Sequence, residues 1–165
     1  MFREMRRKKQ ELPEEECLAV LNKCTHGVLA VSGDGGYPYA VPLNYAYDGG
    51  KLYFHSALEG HKIDAVRRGD KASFCVVERD DVVAEEYTTY FRSVIAFGRV
   101  SELTGEEEKI AAMKLLADKY APDNTAERFR QSIDRSLPRT AVLVLTIEHM
   151  TGKEAVELVK RRQNG

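Results

Sequence analysis

A mainly β fold with peripheral helices, a small six-stranded antiparallel barrel that splits open, is what this sequence predicts. Three observations carry the prediction. About six hydrophobic stretches read as strands, with turn signals such as Gly33-Asp34-Gly35-Gly36 and Asp48-Gly49-Gly50 at short intervals. Strand follows strand by hairpin, which argues against parallel β-α-β units. Pro42 falls in the middle of a strand pattern, where it has no N–H to donate. It therefore calls for an edge, a bulge or a place where the barrel opens and leaves backbone amides free for a ligand.

Taken in order, residues 1–11 are charged and read as a flexible arm, or as one that lies on a partner subunit. Pro13 suits the first turn of a helix, and Glu14, Glu15 and Glu16 suit its positive end, so a short amphipathic helix runs to about Cys24. Residues 27–32 form a strand. In 37–47, Tyr39, Val41, Leu43, Tyr45 and Tyr47 alternate with period two. Residues 51–56 continue past the next turn, with Leu52 and Phe54 on one face and Tyr53 and His55 on the other. A helix over 61–68 is closed by Gly69. Residues 71–78 form a strand, and 79–86 read as an exposed charged loop. A long strand covers 88–103, bent near Gly98. Ile110, Met113, Leu116, Ala117 and Tyr120 make one stripe of a helix over 106–120. A second helical piece covers 125–133, 140–147 is a buried strand, and 153–165 is a polar tail with some helical character.

The 165 residues suit a single domain. A net charge of −1 argues against a general nucleic-acid binder. No apolar run approaches the roughly 20 residues that span a bilayer. The basic N-terminus is followed by no apolar signal region, so the expected compartment is the cytoplasm. Cys17, Cys24 and Cys75 are odd in number and scattered, which reads as small core residues and not as a disulfide framework. Metal binding by His55 and His61 would need a third ligand, and no neighbour offers one.

Chemistry concentrates in residues 37–64. His55-Ser56-Ala57 ends a strand, and Gly60-His61-Lys62 opens a helix directly afterwards. Hydroxyl, backbone amides, a helix start and a lysine converge there, which describes an anion pocket with phosphate as the fitting anion. Each residue also has a plainer reading. Lys62 can be an exposed helix lysine, Ser56 a turn cap, and His55 a half-buried histidine bonded to backbone. The tyrosines serve as packing for barrel or dimer, and Glu106–Glu108 and the terminal Lys160-Arg161-Arg162 as solvated charge.

PLNY at 42–45, YFHSA at 53–57, GHKID at 60–64, SVIAFGRV at 93–100 and HMTGKEA at 149–155 occur in that order. With them the chain resembles the pyridoxamine 5′-phosphate oxidase-like split-barrel flavoproteins, most of all the Nim-type group related to nitroimidazole resistance. The resemblance covers roughly residues 10–156. It implies a homodimer with two FMN sites at the subunit interface. It implies that Val41, Pro42, Leu43 and Asn44 lie along the flavin ring and ribityl chain. His55, Ser56 and Ala57 would border the ribityl phosphate, and Lys62 would pair with it. His61 would stand where many relatives carry a stronger base, and Arg92 and Ser93 would contribute from the long strand. It also gives His55 a catalytic place beside flavin and substrate. The chain has no tryptophan, which some relatives use near the flavin.

The function implied is an FMN-dependent oxidoreductase that reduces a small molecule such as a nitro compound. A non-catalytic module for flavin, deazaflavin or haem is the first alternative, with His55 or His61 as an axial haem ligand. Pyridoxamine 5′-phosphate oxidase itself is the second, against which the chain shows no second arginine cluster for a substrate phosphate. A flavin-free dimeric structural protein is the last.

Overall fold

The structure, a computed structural model, describes residues 1–164; Gly165, at the end of the expected tail, lies outside the described residues. The chain runs β1 (Glu11–Leu12), α1 (Glu14–Lys23), β2 (His26–Ser32), β3 (Pro38–Asn44), β4 (Ala46–Asp48), β5 (Lys51–Ala57) and α2 (His61–Arg68). It continues through β6 (Lys71–Val83), β7 (Thr88–Glu102), α3 (Glu106–Tyr120), α4 (Ala126–Ser136), β8 (Thr140–Glu154) and α5 (Val156–Asn164). Eight strands form one antiparallel sheet in the order β3-β2-β6-β7-β8-β5-β4, with β1 added beside β8. The count exceeds the expected six because one predicted strand divides at Tyr45 and the arm supplies another. The sheet curls around a core that includes Leu21, Leu29, Phe54, Phe74 and Leu143, but β3 and β4 stay at opposite ends of its order. It is a split barrel, and Pro42 sits on the end strand β3, where a missing donor costs little.

Tyr45 explains the division. Its ring is fully buried against Phe74, and its hydroxyl donates to the Leu21 carbonyl at 2.7 Å. Its backbone N–H donates to the Tyr120 hydroxyl at 3.0 Å, and its carbonyl accepts from that same hydroxyl at 2.7 Å. Both main-chain groups are thus satisfied outside the sheet. The alternation of tyrosines continues through this point while the ladder partner changes, from β2 for β3 to β5 for β4.

Three expectations are corrected. The segment 79–86 is not a loop: β6 pairs with β7 as far as Val83↔Thr88 after a bulge between Val77 and Arg79. Only a short turn remains, ending at Tyr87 with φ 50. Val83 and Phe91 pack on Tyr90, Ala155 and Leu158, so this ribbon has an apolar side that its charged residues conceal in the sequence. The arm is not free either. Gln10 is buried, Glu11 and Leu12 pair with Lys153 and Gly152, and Phe2 stacks on His149. The tail is not simply polar, because β8 extends to Glu154 and α5 buries Leu158 and Val159. Among the described residues, no helix is long and apolar enough to cross a membrane.

Candidate functional site

At the split, the end of β5 and the start of α2 meet β3. They enclose a cavity of about 420 Å³ lined by Tyr39, His55, Ser56, Ala57, Glu59, Gly60, His61 and Lys62. Register alternation builds it. Leu52 and Phe54 of β5 point into the core, so His55 is turned outward, and Tyr39 faces inward from the end strand. Gly60 has φ 121, a conformation that L side chains rarely adopt, and this lets the chain turn directly into α2. No side chain caps α2, so its first backbone N–H groups remain available.

Lys62 stands in that first turn, half-buried. Burial pushes its pKa below the ordinary lysine value of 10.5. Among the described residues no carboxylate lies within ion-pair distance of it. A desolvated, unpaired ammonium beside free helix amides fits a phosphate. Glu59 also lines the cavity, but its side chain is exposed.

His61 has a different task. Its ring stacks on Tyr39 with centroids 4.0 Å apart. Its Nε2 accepts from the Asp34 backbone N–H at 3.3 Å, while Arg68 pairs with the Asp34 carboxylate at 2.6 Å. The same Nε2 also lies 3.6 Å from the Asp34 carboxylate, so the ring meets both the backbone and the side chain of that residue. His61 therefore ties α2 to the β2–β3 turn and positions Lys62. His55 is exposed at the mouth, opposite Val142 of β8 in the ladder.

The other expected residues lie elsewhere. Val41 and Leu43 pack against the core, and Pro42 faces outward. The Asn44 amide donates to the Thr25 carbonyl at 2.8 Å. Arg92 is held by Glu154 at 2.8 Å, Glu16 at 3.4 Å and Glu78 at 3.6 Å. Ser93 pairs with Val77 and Lys153 in the sheet. The single chain does not bring Arg92 or Ser93 to the cavity lining. Tyr39 and Glu59 line it without having been singled out as ligands. The one signal for Tyr39 was its place on the inward row of a strand whose proline marks an edge.

The outer face of β3, β2, β6 and β7 carries Pro42, Val28, Ala30, Cys75, Val77, Ile95 and Phe97 in adjoining register. Val28 is 39% and Val77 55% exposed, unusual for apolar residues in central strands of a sheet.

Comparison with known proteins places the chain in context. A family model described as pyridoxamine 5′-phosphate oxidase matches residues 13–154. An uncharacterised protein of Rhizobium meliloti (strain 1021) is 33% identical over 112 residues, 66% of this chain and 69% of that protein. The crystal structure of an FAD-binding protein of Mesorhizobium loti is 28% identical with a TM-score of 0.60, over 88% of this chain and 97% of that one. A Bacteroides thetaiotaomicron protein provisionally assigned to 5-nitroimidazole antibiotic resistance is 22% identical with a TM-score of 0.72, over 87% of this chain and 86% of that one. At that identity it speaks for the fold alone.

Proposed function

The chain belongs to the pyridoxamine 5′-phosphate oxidase family, and on that footing we propose that it is an FMN-binding oxidoreductase reducing a small molecule such as a nitro compound. The observation that carries this reading is Lys62, desolvated and without a carboxylate beside the uncapped start of α2. FAD binding by the Mesorhizobium loti relative supports the flavin, and a cavity lined by a single lysine favours a monophosphate. Lys62, Ser56 and the first amides of α2 would hold the phosphate, with His61 and Tyr39 keeping them in place. Bound flavin would supply the electron transfer. His55, exposed at the mouth, is our candidate for handing a proton to the reduced substrate.

The test is an absorbance titration of the purified protein with FMN. Lys62→Ala is expected to weaken binding about 10- to 100-fold, the worth of one hydrogen bond to a charged group. Absence of flavin uptake by the unmutated protein sinks the reading. The pH dependence has a definite sign. A phosphate favours the protonated ammonium and raises the Lys62 pKa in the complex. Affinity is therefore level while free Lys62 is protonated, and falls on the alkaline side as pH rises through its lowered value. Lys62→Arg keeps its charge there, and its affinity should fall less over that range.

We assign the outer apolar face to a second copy of the chain, so that the cavity lies near a dimer interface. Its exposed Val28 and Val77 leave a patch that water disfavours. Val28→Glu combined with Val77→Glu is expected to yield folded monomer by sedimentation. Unchanged mass, or a monomeric parent, removes this interface.

A further inference from the structure

The turn between β2 and β3 lies outside the cavity lining, yet it is built against α2. It is closed on itself: the Gly33 N–H donates to the Tyr37 carbonyl at 2.8 Å, and the Tyr37 N–H donates to the Asp34 carbonyl at 3.1 Å. From this frame Asp34 reaches both ends of the helix. Its backbone N–H donates to Nε2 of His61, the first residue of α2, at 3.3 Å, and its carboxylate stands 3.6 Å from the same nitrogen. The other carboxylate oxygen pairs at 2.6 Å with Arg68, the last residue of α2. Gly33 shows how closely turn and helix fit. Its φ of −87 is open to any residue, so backbone conformation does not demand a glycine there. Space does. A Cβ would lie 2.8 Å from the Tyr37 carbonyl oxygen, 2.9 Å from the Tyr39 Cβ and 3.2 Å from Nε2 of His61. The turn thus leaves no room for a methyl group against the Tyr39–His61 stack, which walls the cavity that Lys62 lines. Ile63, Ala65 and Val66 fix the inner side of α2 in the core, so the turn's part is to fix the side that carries His61.

We propose that Gly33 and Asp34, outside the cavity, are positioning residues that clamp α2 against Tyr39, and that this clamp makes the site prefer a phosphorylated flavin to the unphosphorylated one. A phosphate is gripped by directional, charge-assisted hydrogen bonds, which weaken when their donors move. Donors already held in place bind it more tightly, because their ordering no longer opposes binding. A neutral ribityl end makes no comparable demand on Lys62 or on the first amides of α2. The preference for a phosphorylated flavin rests on the flavin reading; the clamp on Lys62 does not.

The test compares FMN with riboflavin by fluorescence titration of the full chain, and follows Lys62 in the flavin-free protein by carbon-13 labelling of lysine Cε, with Lys62→Arg to assign its signal. Asp34→Ala should weaken FMN about two- to fivefold, the range of an exposed ion pair, and leave riboflavin affinity unaltered. Loss of a nearby negative charge by itself favours an anion, so weaker FMN binding in this variant reports the clamp and not the charge. Gly33→Ala, which presses on the stack directly, should weaken FMN at least as much. Without flavin, both variants should move the Lys62 titration up toward 10.5, as water reaches an ammonium whose value burial had lowered. The other titratable groups of the lining, Tyr39, His55, Glu59 and His61, are retained in both. Loss of the Asp34 carboxylate alone would move Lys62 the other way, so the direction is diagnostic even if Gly33→Ala does not fold. Unchanged FMN affinity, or equal loss of FMN and riboflavin, overturns the preference. If the parent takes up neither flavin, the flavin reading falls and the Lys62 titration decides the clamp. A titration that stays put or falls in the folded variants overturns it.

Discussion

Glu154→Ala is expected to destabilise the protein by about 2–3 kcal/mol, the loss of its hydrogen bonds to two charged groups that themselves stay partly in water. Glu154 is fully buried and accepts from Arg92 at 2.8 Å and from Arg162 at 2.9 Å. Arg92 also pairs with Glu16 and Glu78, so Glu154 joins β7, β8 and α5, and the network through Arg92 adds α1 and β6. Removal of Glu154 takes from Arg162 its carboxylate partner and leaves Arg92 with Glu16 and Glu78. Urea unfolding should show a lower midpoint at unchanged slope. A loss below about 1 kcal/mol would mean that water screens the network as it does a surface pair. The result bears on function as well. Arg92 was a candidate flavin ligand, and within one chain its guanidinium is already engaged. Arg92→Ala should lower stability in the absence of flavin.

Gly98→Ala should cost about 3 kcal/mol or more, or prevent folding. A Cβ there would press into the Thr146 carbonyl and lie 3.1 Å from the Ile147 Cα. Both are backbone atoms of the neighbouring strand, so no side chain can move aside. The strands β7 and β8 would have to part at the bulge between Phe97 and Gly98, and His149 would lose the geometry that sets it beside Phe97. Gly69→Ala is the control. A Cβ there meets nothing within 4 Å and its φ of −159 is extended backbone, so the change should be nearly silent. Thermal melts followed by circular dichroism separate the two. Equal melting temperatures for both variants would show that the bulge relaxes to accept a side chain.

Much of the architecture was legible because it is local. Alternation in residues 37–47 reports which side chains are buried, and the stop at Gly69 marks the end of α2. Pro42 marked the end strand for a covalent reason, its missing donor. Most of the cavity lining was legible because it falls within eight positions, from His55 to Lys62, whereas Tyr39 comes from another strand. The charged ribbon 79–86 was missed because ladder hydrogen bonds are indifferent to side-chain polarity, and its apolar support comes from α5.

Patterning of neighbours therefore specified the elements, the open edge at β3 and the cluster around Lys62. Distant contacts specified the rest. The ladder changes partner at Tyr45 because of Tyr120, 75 positions away, and Arg92 is committed to Glu154, 62 positions away. His61 became a strut because Asp34 is brought to it by a turn 27 positions earlier in the chain. The physical reason is one of range. Burial periodicity is a property of a few consecutive residues, whereas a side chain's partner is known only once remote parts of the chain share the same space.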